Sequence, residues 1–355
     1  MESKDSENPR LNKRKNVENL TDKTTNKARE TQTHVKSNKL KVFYTNADSL
    51  FNKFDELKAR LSCEQYDVIC ITEVKPKNSR YLINISEIQL EGYNIFNNVN
   101  PTGRGVIIYV NNLLKATIID DIDLVCNDTV FVSLTINATE ELILGCVYRS
   151  PNSNQDHNDK LNQVIVSVSR KNKKVLLVGD FNLPYINWNT WTTNSASNSK
   201  ESVFIETVRD SFLQQCVSKS TRYRSNEKSN VLDLILVDNE EYIESLEHQS
   251  PLGKSDHEAL TFDYLCSIQK IQYYKTKYYY RKADFTSMNE EFSNIDWNSL
   301  LESDNMNTVW KSFTDKVNVI VEKYVPIKKV SVNTNKKFLL SKEQREVIRK
   351  TSTME

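Results

Sequence analysis

A carboxylate and a carboxamide stand two residues apart near the middle of the chain. A short apolar run at 174–178 leads directly into Gly179-Asp180-Phe181-Asn182. The run is rich in β-forming residues and predicts a buried strand, whose pleat would aim Asp180 and Asn182 the same way. Such a pair at a strand end suits metal or phosphate chemistry. The alternative at this point is a strand that ends in an Asx turn.

Similar polar groups end the other predicted strands. Taken alone, each has an ordinary interpretation, such as a helix cap, a loop acid or a core tyrosine. Their repetition favours a shared site, because α/β folds place their chemistry at strand ends. The groups are Asn46 and Asp48 after the first strand, Glu73 after the second, Tyr148-Arg149 after a later one, and Ser255-Asp256-His257 just before the last.

Asp233 is the hardest of the acids to explain as purely structural. It lies inside the apolar run at 231–236, where a lone carboxylate is costly unless it is paired. Of the 4 histidines, the others fall in a polar tail, at a helix start and in a polar loop, which leaves His257 as the best partner. We therefore predict an Asp233–His257 pair.

Together these groups supply what phosphodiester hydrolysis needs. Glu73 and Asp48 are hard oxygen ligands suited to Mg²⁺, with Mn²⁺ as a further possibility. The metal would neutralise charge on the phosphate oxygens. Tyr148 and Asn46 would donate hydrogen bonds to the developing pentacovalent phosphate.

Four other residues would position the attacking water and accept its proton. Asp233 would fix the tautomer of His257, whose imidazole would contact the phosphate or the attacking water. Asp180 would deprotonate that water, and Asn182 would orient it.

The elements that must position these residues mix parallel and antiparallel strands. Strands at 41–45 and 67–72 flank a helix that carries Leu50, Phe54 and Leu57 at helical spacing, which predicts a right-handed β-α-β crossover. The strand at 130–136 alternates in polarity and indicates an antiparallel neighbour. Two packed sheets with helices outside fit this mixture better than one parallel sheet.

Bulk composition describes an ordinary globular chain. Its 355 residues are 38% hydrophobic and 27% charged. No apolar run approaches the roughly 20 residues that span a bilayer, and the polar N-terminus is not a secretory signal. The 6 cysteines show no metal-ligand spacing, so we expect a reduced, intracellular chain without a membrane partner.

Charge separates the ends of the chain from its middle. Residues 41–266 hold 22 Lys and Arg against 30 Asp and Glu, a net charge of −8, whereas both ends are basic. Basic composition therefore gives no argument for nucleic acid, and the acidic middle is compatible with a carboxylate-lined cation site. Residues 1–38 are polar with almost no apolar pattern and are predicted to be disordered.

The C-terminal stretch 267–355 differs from the rest of the chain in composition and in apolar pattern. Tyrosines lie among Lys and Arg at 270–282, an arrangement that can stack on single-stranded bases, form an edge strand or act as a linker, and we favour the linker. Apolar residues at helical spacing then predict an amphipathic helix that needs a partner. They are Met306, Val309, Trp310, Phe313, Val317, Ile320, Val321 and Tyr324.

The ordered set of strand-end motifs resembles the endonuclease/exonuclease/phosphatase superfamily. The likeness covers about residues 40–266. It implies an α/β fold, a four-layered α/β sandwich of two mixed β-sheets flanked by helices, with a disordered N-terminal tail and a helical C-terminal extension. The expected domains are a polar tail at 1–38, the catalytic domain at 39–266, and a linker with a helical extension at 267–355.

Within that superfamily, the motifs at 147–152, 179–184, 221–222 and 230–236 resemble the endonucleases of LINE-type (non-LTR) retrotransposons. The resemblance implies a Mg²⁺-dependent enzyme that nicks chromosomal DNA and leaves a 3′-hydroxyl, acting in the nucleus although the cytoplasm is possible. We add Asp256 to the expected metal ligands, and expect Asn46, Arg149 and Arg222 to bind the substrate. DNA specificity would come from loops near the site, with 187–200 the first candidate.

Alternatives stay open beside this interpretation. Asp48 matches the metal-ligand acid of AP endonucleases, so abasic DNA is a possible substrate, as are a polyadenylate tail and, least of all, a phosphorylated lipid head group. A catalytically silent retrotransposon relic acting as a binding module is the non-enzymatic alternative. The tail resembles the connector to a reverse transcriptase, so we expect a fragment or derivative of such an element, whose reverse transcriptase domain or RNA would be a partner.

Overall fold

The computed structural model describes residues 31–77, 84–100, 103–223 and 230–331. Its strands in chain order are β1 (Thr31–Asn46), β2 (Val68–Thr72), β3 (Tyr93–Asn98), β4 (Val106–Asn111), β5 (Ala116–Ile118), β6 (Thr129–Thr135), β7 (Glu141–Tyr148), β8 (Lys174–Asp180), β9 (Ile186–Asn187), β10 (Thr192–Thr193), β11 (Gln214–Gln215), β12 (Asp233–Val237), β13 (Ile243–Gln249), β14 (Ala259–Tyr278) and β15 (Ile327–Ser331). Its α-helices are α1 (Phe54–Cys63), α2 (Gln155–Ser169), α3 (Lys200–Asp210), α4 (Phe285–Ser293), α5 (Trp297–Leu300) and α6 (Met306–Tyr324).

The first sheet begins with the predicted crossover. Its strands follow the order β13-β14-β1-β2-β4-β3, with β1 and β2 parallel and the pairs β2–β4 and β3–β4 antiparallel. Asn46 at the end of β1 lies opposite Thr72 at the end of β2. The parallel register therefore brings Asn46 and the acid that follows Thr72 to one edge of the sheet.

The second sheet repeats this arrangement at its own edge. Its order is β11-β12-β8-β7-β6-β5. Tyr148 at the end of β7 lies opposite Asp180 at the end of the parallel β8. Strand β12 runs antiparallel to β8 and starts with Asp233, which lies opposite Asp180. Three of the predicted site residues thus share one sheet edge because of strand direction and register alone.

Alternate side chains of the strands divide the interior into three apolar layers. One layer fills the space between the sheets, with Tyr44, Cys70 and Val178 among its fully buried members. A second lies between the first sheet and α1. A third lies between the second sheet and helices α2 and α3. This arrangement confirms the predicted four-layered α/β sandwich of two mixed sheets.

Gly179 explains why a glycine precedes the central Asp180. A Cβ at this position would lie 1.9 Å from the carbonyl oxygen of Val147 on the neighbouring β7, a contact that no side chain can make. The missing side chain lets β7 and β8 pair closely up to their last residues. Tyr148 and Asp180 are consequently held side by side.

Two strands extend beyond the stretch in which we expected them. Strand β1 already begins at Thr31, inside the stretch expected to be a disordered tail, while residues 1–30 lie outside the described part of the chain. Residues 267–278, where we expected a linker, continue β14. The backbone of Ile271 donates to the carbonyl of Leu113, so the start of this stretch adopts the strand alternative and not the linker that we favoured.

Contacts separate a second unit at Gln272–Asn333 from the unit that holds His34–Ile271. In this second unit, Tyr274–Tyr278 of β14 pairs antiparallel with β15. The predicted amphipathic helix is α6, which buries Ile320 and Val321 against Met288 of α4. The predicted helical extension therefore carries its own small core. Residues 332–355 fall outside the described residues.

All six cysteines are free thiols in the structure. Among the helices that the structure describes, none combines the length and the apolar character needed to cross a membrane.

Candidate active site

Side chains from both sheets meet at the edge where the strands end. Asn46 closes β1, Asp180 closes β8, and Asp233 opens β12. His257 lies two residues before β14. All four are buried, with exposed fractions of 0 to 5%. The structure therefore brings these four predicted residues to one place, and their joint role as a site stays a prediction.

Asp180 is the centre of an amide network. Its Oδ2 accepts hydrogen bonds from the Asn46 Nδ2 at 2.9 Å and from the Asn182 Nδ2 at 2.8 Å, and its Oδ1 accepts from the Asn182 backbone N–H at 3.1 Å. Asn182 has a φ of +48°, a left-handed conformation that Asn tolerates better than most residues. This turn folds the Asn182 amide back onto the carboxylate, so Asx geometry and a polar site coincide here.

Asp233 and His257 form the predicted pair. The His257 Nδ1 lies 2.7 Å from the Asp233 Oδ2, and the Tyr44 hydroxyl donates to the Asp233 Oδ1 at 2.6 Å. Because a carboxylate only accepts, Nδ1 carries the proton in this pair. The Nε2 then faces the polar groups of the site and lies 3.9 Å from an oxygen of Asp180 and 3.9 Å from one of Asp256.

Burial and neighbouring charges shift the pKa values of His257 and Asp180. Burial alone disfavours a charged imidazole, but the carboxylates of Asp233 and Asp180 outweigh it and raise the pKa of His257 to about 10. Burial also raises the pKa of Asp180 to about 8; His257 opposes this shift, and the carboxylate of Asp233 adds to it. The site thus holds a cationic imidazolium beside a carboxyl group that titrates near neutrality.

Because the pKa of His257 differs between the folded and unfolded protein, we predict that the metal-free protein loses thermal stability as pH rises. The pKa of His257 is about 10 when folded, against an ordinary value of 6.5, so its stabilising contribution is complete below 6.5 and is lost as pH rises through 10. His257→Gln should flatten this slope. Thermal unfolding of both proteins in EDTA, from about pH 6 to about pH 10, measures it. Equal slopes for the two proteins would contradict the assigned interaction.

Asp48 and Glu73, the predicted metal ligands, lie in the loops after β1 and β2. Both have a positive φ, 39° for Asp48 and 51° for Glu73. Their carboxylates meet at the same Nη2 of Arg104, at 2.7 Å from the Asp48 Oδ1 and 2.6 Å from the Glu73 Oε2. The two acids are therefore brought together, and the group between them is a cation.

These two acids fit a hard divalent ion by the chemistry of their donors. They offer carboxylate oxygens that already converge on positive charge, and the Asp48 side chain is 53% exposed, which leaves room for water ligands. A second group with metal-compatible spacing is Asp180, Asp233 and His257. Asp233 is already hydrogen-bonded to His257 and Tyr44, and Asp180 to Asn46 and Asn182, so this group suits proton and phosphate chemistry better than a metal.

Tyr148 lies between the two acid groups. Burial, followed by the charges of Glu73 and Asp180, raises the pKa of its hydroxyl well above the ordinary range. The side chain therefore stays a neutral phenol, able to donate a hydrogen bond, across physiological pH.

Asp256 and Arg222 pair with each other at the rim of the site. The Arg222 Nε donates to the Asp256 Oδ2 at 2.9 Å, and the Asp256 side chain is 26% exposed. The structure places Asp256 beside His257 and shows no contact that joins it to Glu73 among the described residues. Its expected role as a metal ligand stays a prediction.

Arg149 is placed beneath the site. Its side chain is 2% exposed, and Nη1 donates to the carbonyl of Asn182 at 3.1 Å while Nε donates to Asn158 at 2.8 Å. The guanidinium thus supports the turn that holds Asn182. Trp188, in the loop expected to read DNA, is likewise 7% exposed and packs edge-on against Phe204.

Three contributors escaped the sequence reasoning. Tyr44 lies in an apolar strand and reads as core, yet its hydroxyl fixes Asp233. Thr221 accepts hydrogen bonds from the backbone N–H groups of Leu232 and Asp233. Arg104 follows a loop without any motif. For Tyr44, the signal available in the sequence was its position two residues before Asn46 on the same strand face.

Residues 142–261 match the family model described as "Endonuclease-reverse transcriptase". A search of curated proteins gives no match. Among solved structures, the AP endonuclease LMAP from Leishmania major is similar with a TM-score of 0.51 and 14% identity, over 64% of this chain and 88% of that chain.

Two further solved structures have similar TM-scores, identities and coverage. The endonuclease domain of TRAS1, a telomere-specific non-LTR retrotransposon, has a TM-score of 0.49 and 15% identity, over 64% of this chain and 99% of that chain. The 3′ phosphatase NExo from Neisseria, bound to a product DNA hairpin, has a TM-score of 0.48 and 15% identity, over 63% and 99%. The family match, with the fold of LMAP, confirms the predicted resemblance to the endonuclease/exonuclease/phosphatase superfamily, and the matching family model is that of an endonuclease linked to reverse transcriptase.

Proposed function

We propose that this chain, which has the fold of the endonuclease/exonuclease/phosphatase superfamily, is a divalent-metal-dependent phosphodiester hydrolase that nicks one strand of DNA. The observation that carries the proposal is the hydrogen bond of 2.9 Å from Asn46 to Asp180. It joins the two sheets at the edge where the Asp233–His257 pair also lies. Base, imidazolium and amide donors are thereby fixed around one small volume.

Glu73 and Asp48 would hold the metal, and Asp256 is a further candidate ligand. Mg²⁺ is the expected ion, with Mn²⁺ as an alternative, because the donors are hard oxygens. When bound, such an ion neutralises negative charge on the phosphate oxygens.

Asp180 would take the proton of the attacking water. Its pKa of about 8 lies close to the pH at which a general base works best. Asn46 and Asn182 both donate to its Oδ2, so the carboxylate cannot rotate away from the position that the strand end gives it. The Asn182 amide is itself anchored on the Arg149 carbonyl at 2.9 Å, which ties this orientation to β7.

His257 and Tyr148 would stabilise the phosphate as charge develops. The Asp233 carboxylate keeps His257 protonated, with Nε2 turned toward the site, so the imidazolium can donate to a phosphate oxygen. The Tyr148 phenol supplies a second, neutral donor. Water adds to phosphorus and gives its proton to Asp180, the bond between phosphorus and the 3′-oxygen breaks, and the leaving oxygen takes a proton from solvent, so the products are a 3′-hydroxyl and a 5′-phosphate.

Abasic DNA is the second candidate substrate. It is favoured by Asp48, whose carboxylate lies with that of Glu73 at the Arg104 guanidinium.

Arg222, paired with Asp256 at the rim, is the proposed contact to the DNA backbone. Chromosomal DNA in the nucleus would be the natural substrate, with a reverse transcriptase domain or an element RNA as partner.

Purified protein should nick supercoiled plasmid in Mg²⁺ and should leave a 3′ end that a polymerase extends directly. Duplex oligonucleotides with and without one abasic site, at equal enzyme concentration, separate the two substrates. Faster cleavage of the abasic duplex would favour the second candidate. Intact substrates across Mg²⁺, Mn²⁺ and Ca²⁺ would favour the alternative of a silent binding module.

A further inference from the structure

Arg104 places its guanidinium between the two acids proposed to hold the metal. Its Nη2 lies 2.7 Å from the Asp48 Oδ1 and 2.6 Å from the Glu73 Oε2. Its Nε donates to the Lys75 carbonyl at 2.9 Å, and the side chain is 16% exposed. One nitrogen thus contacts two carboxylates that come from two different loops, and Lys53 adds a second positive charge near both.

The two loops are joined to each other without the help of the Arg104 guanidinium. Backbone hydrogen bonds already join them: the Ala47 N–H donates to the Thr72 carbonyl at 3.0 Å, and the Ser49 N–H donates to the Glu73 carbonyl at 2.8 Å. Leu50 continues the series with a bond to Val74 at 2.9 Å. The two ion pairs therefore serve mainly to neutralise charge where two carboxylates converge.

Arg104 and a divalent ion would compete for the same oxygens. The Arg104 Nη2, at 2.6 to 2.7 Å from one oxygen of each carboxylate, occupies the lone pairs at the point where the two acids converge, and its positive charge opposes a divalent cation at their other oxygens as well. The competing cation is part of the chain, so its effective concentration at the acids is high and constant.

We propose that Arg104 is a built-in competitor for the metal, which fills the cation position in the metal-free protein and weakens metal binding until it is displaced. The inference rests on the proposed function, since it takes Asp48 and Glu73 as the metal ligands. It predicts that metal affinity in the free protein is set by Arg104 as well as by the ligands. Removing the guanidinium should make the site bind metal more tightly, whereas loss of a residue that only positions the ligands would weaken binding.

Mn²⁺ titration followed by electron paramagnetic resonance tests the proposal without any DNA or turnover. Arg104→Gln, which keeps much of the side-chain volume, should bind Mn²⁺ about 10-fold more tightly than the wild type, because a competing positive charge is gone. Arg104→Ala should change the affinity in the same direction. Lys58→Ala is the matched control, since it removes one positive charge from an ion pair with Asp55 on α1. It should leave Mn²⁺ affinity unchanged.

Equal or weaker Mn²⁺ affinity in both Arg104 variants would overturn the proposal. So would the absence of Mn²⁺ binding to the wild type and every variant up to about 10 mM, a concentration well above the dissociation constants of ordinary carboxylate sites. Metal-dependent gains in thermal midpoint, larger in the variants than in the wild type, give an independent second readout. Failure of plasmid nicking would count against the proposed hydrolase alone. The affinity order of the variants would still decide the role of Arg104.

Discussion

Asp180→Asn should lower the nicking rate by about 10³-fold, because it removes the general base and leaves an isosteric amide in its place. The fold should survive. Asp180 is buried and its pKa is raised to about 8, so removing the charge relieves a cost of burial, but the amide nitrogen of Asn would meet an N–H donor of Asn46 or Asn182 where an oxygen now accepts it. We therefore expect a modest fall in the thermal midpoint, and activity is compared at a temperature where circular dichroism shows the variant to be folded.

Asp238→Asn is the matched control for this variant. Asp238 accepts a hydrogen bond from the Val175 backbone at 3.2 Å, near the opposite end of β8, and makes no described contact with the site. It should keep wild-type nicking. Single-turnover rates on supercoiled plasmid compare the two variants, and an Asp180→Asn rate within a few-fold of wild type would remove Asp180 from the chemistry.

His257→Ala should abolish detectable nicking, a loss of about 10³-fold or more, because the imidazolium is the charged donor proposed to stabilise the phosphate. The variant also leaves the buried Asp233 carboxylate with Tyr44 as its remaining described side-chain partner. Loss of one member of a buried ion pair is expected to cost about 3 kcal/mol or more. Activity is therefore measured at a temperature where circular dichroism shows the variant to be folded.

His248→Ala separates the chemistry of His257 from a general effect of losing a histidine. His248 on β13 also pairs with a carboxylate, its Nδ1 lying 2.6 Å from the Glu258 Oε2, but it contacts none of the proposed catalytic residues. It should nick at the wild-type rate. His257→Gln, which refills part of the space, should remain inactive; recovery of activity in that variant would show that only packing was lost.

The grouping of polar residues at strand ends could be predicted from the sequence, because strand direction and register decide which strand ends lie side by side. Asn46, Asp180 and His257 meet for a reason already present in the sequence, namely that each borders an apolar run of strand length. The Asp233–His257 pair was also predictable, since a carboxylate inside an apolar strand demands a partner. The fold class follows from the same pattern of crossovers and alternating strands.

The contributions of Tyr44 and Arg104 could not be read in this way. Tyr44 counts as apolar in any periodicity argument, and only the packing of two sheets shows that its hydroxyl reaches Asp233 on the other sheet. Arg104 belongs to no motif and reaches Asp48 across 56 residues of sequence. The length of β14 could not be read for a related reason, because the strand continues through a basic stretch whose composition is typical of a linker.

The most direct measurement of the central claim is the conversion of supercoiled plasmid to the nicked form by the wild-type protein, with Mg²⁺ and with EDTA, beside His257→Ala. We predict nicking by the wild type in Mg²⁺, none in EDTA, and none by the variant in either. Plasmid that stays intact with the wild type in Mg²⁺ and Mn²⁺, or nicking that is equal in EDTA or in His257→Ala, would contradict a metal-dependent hydrolase built on this site.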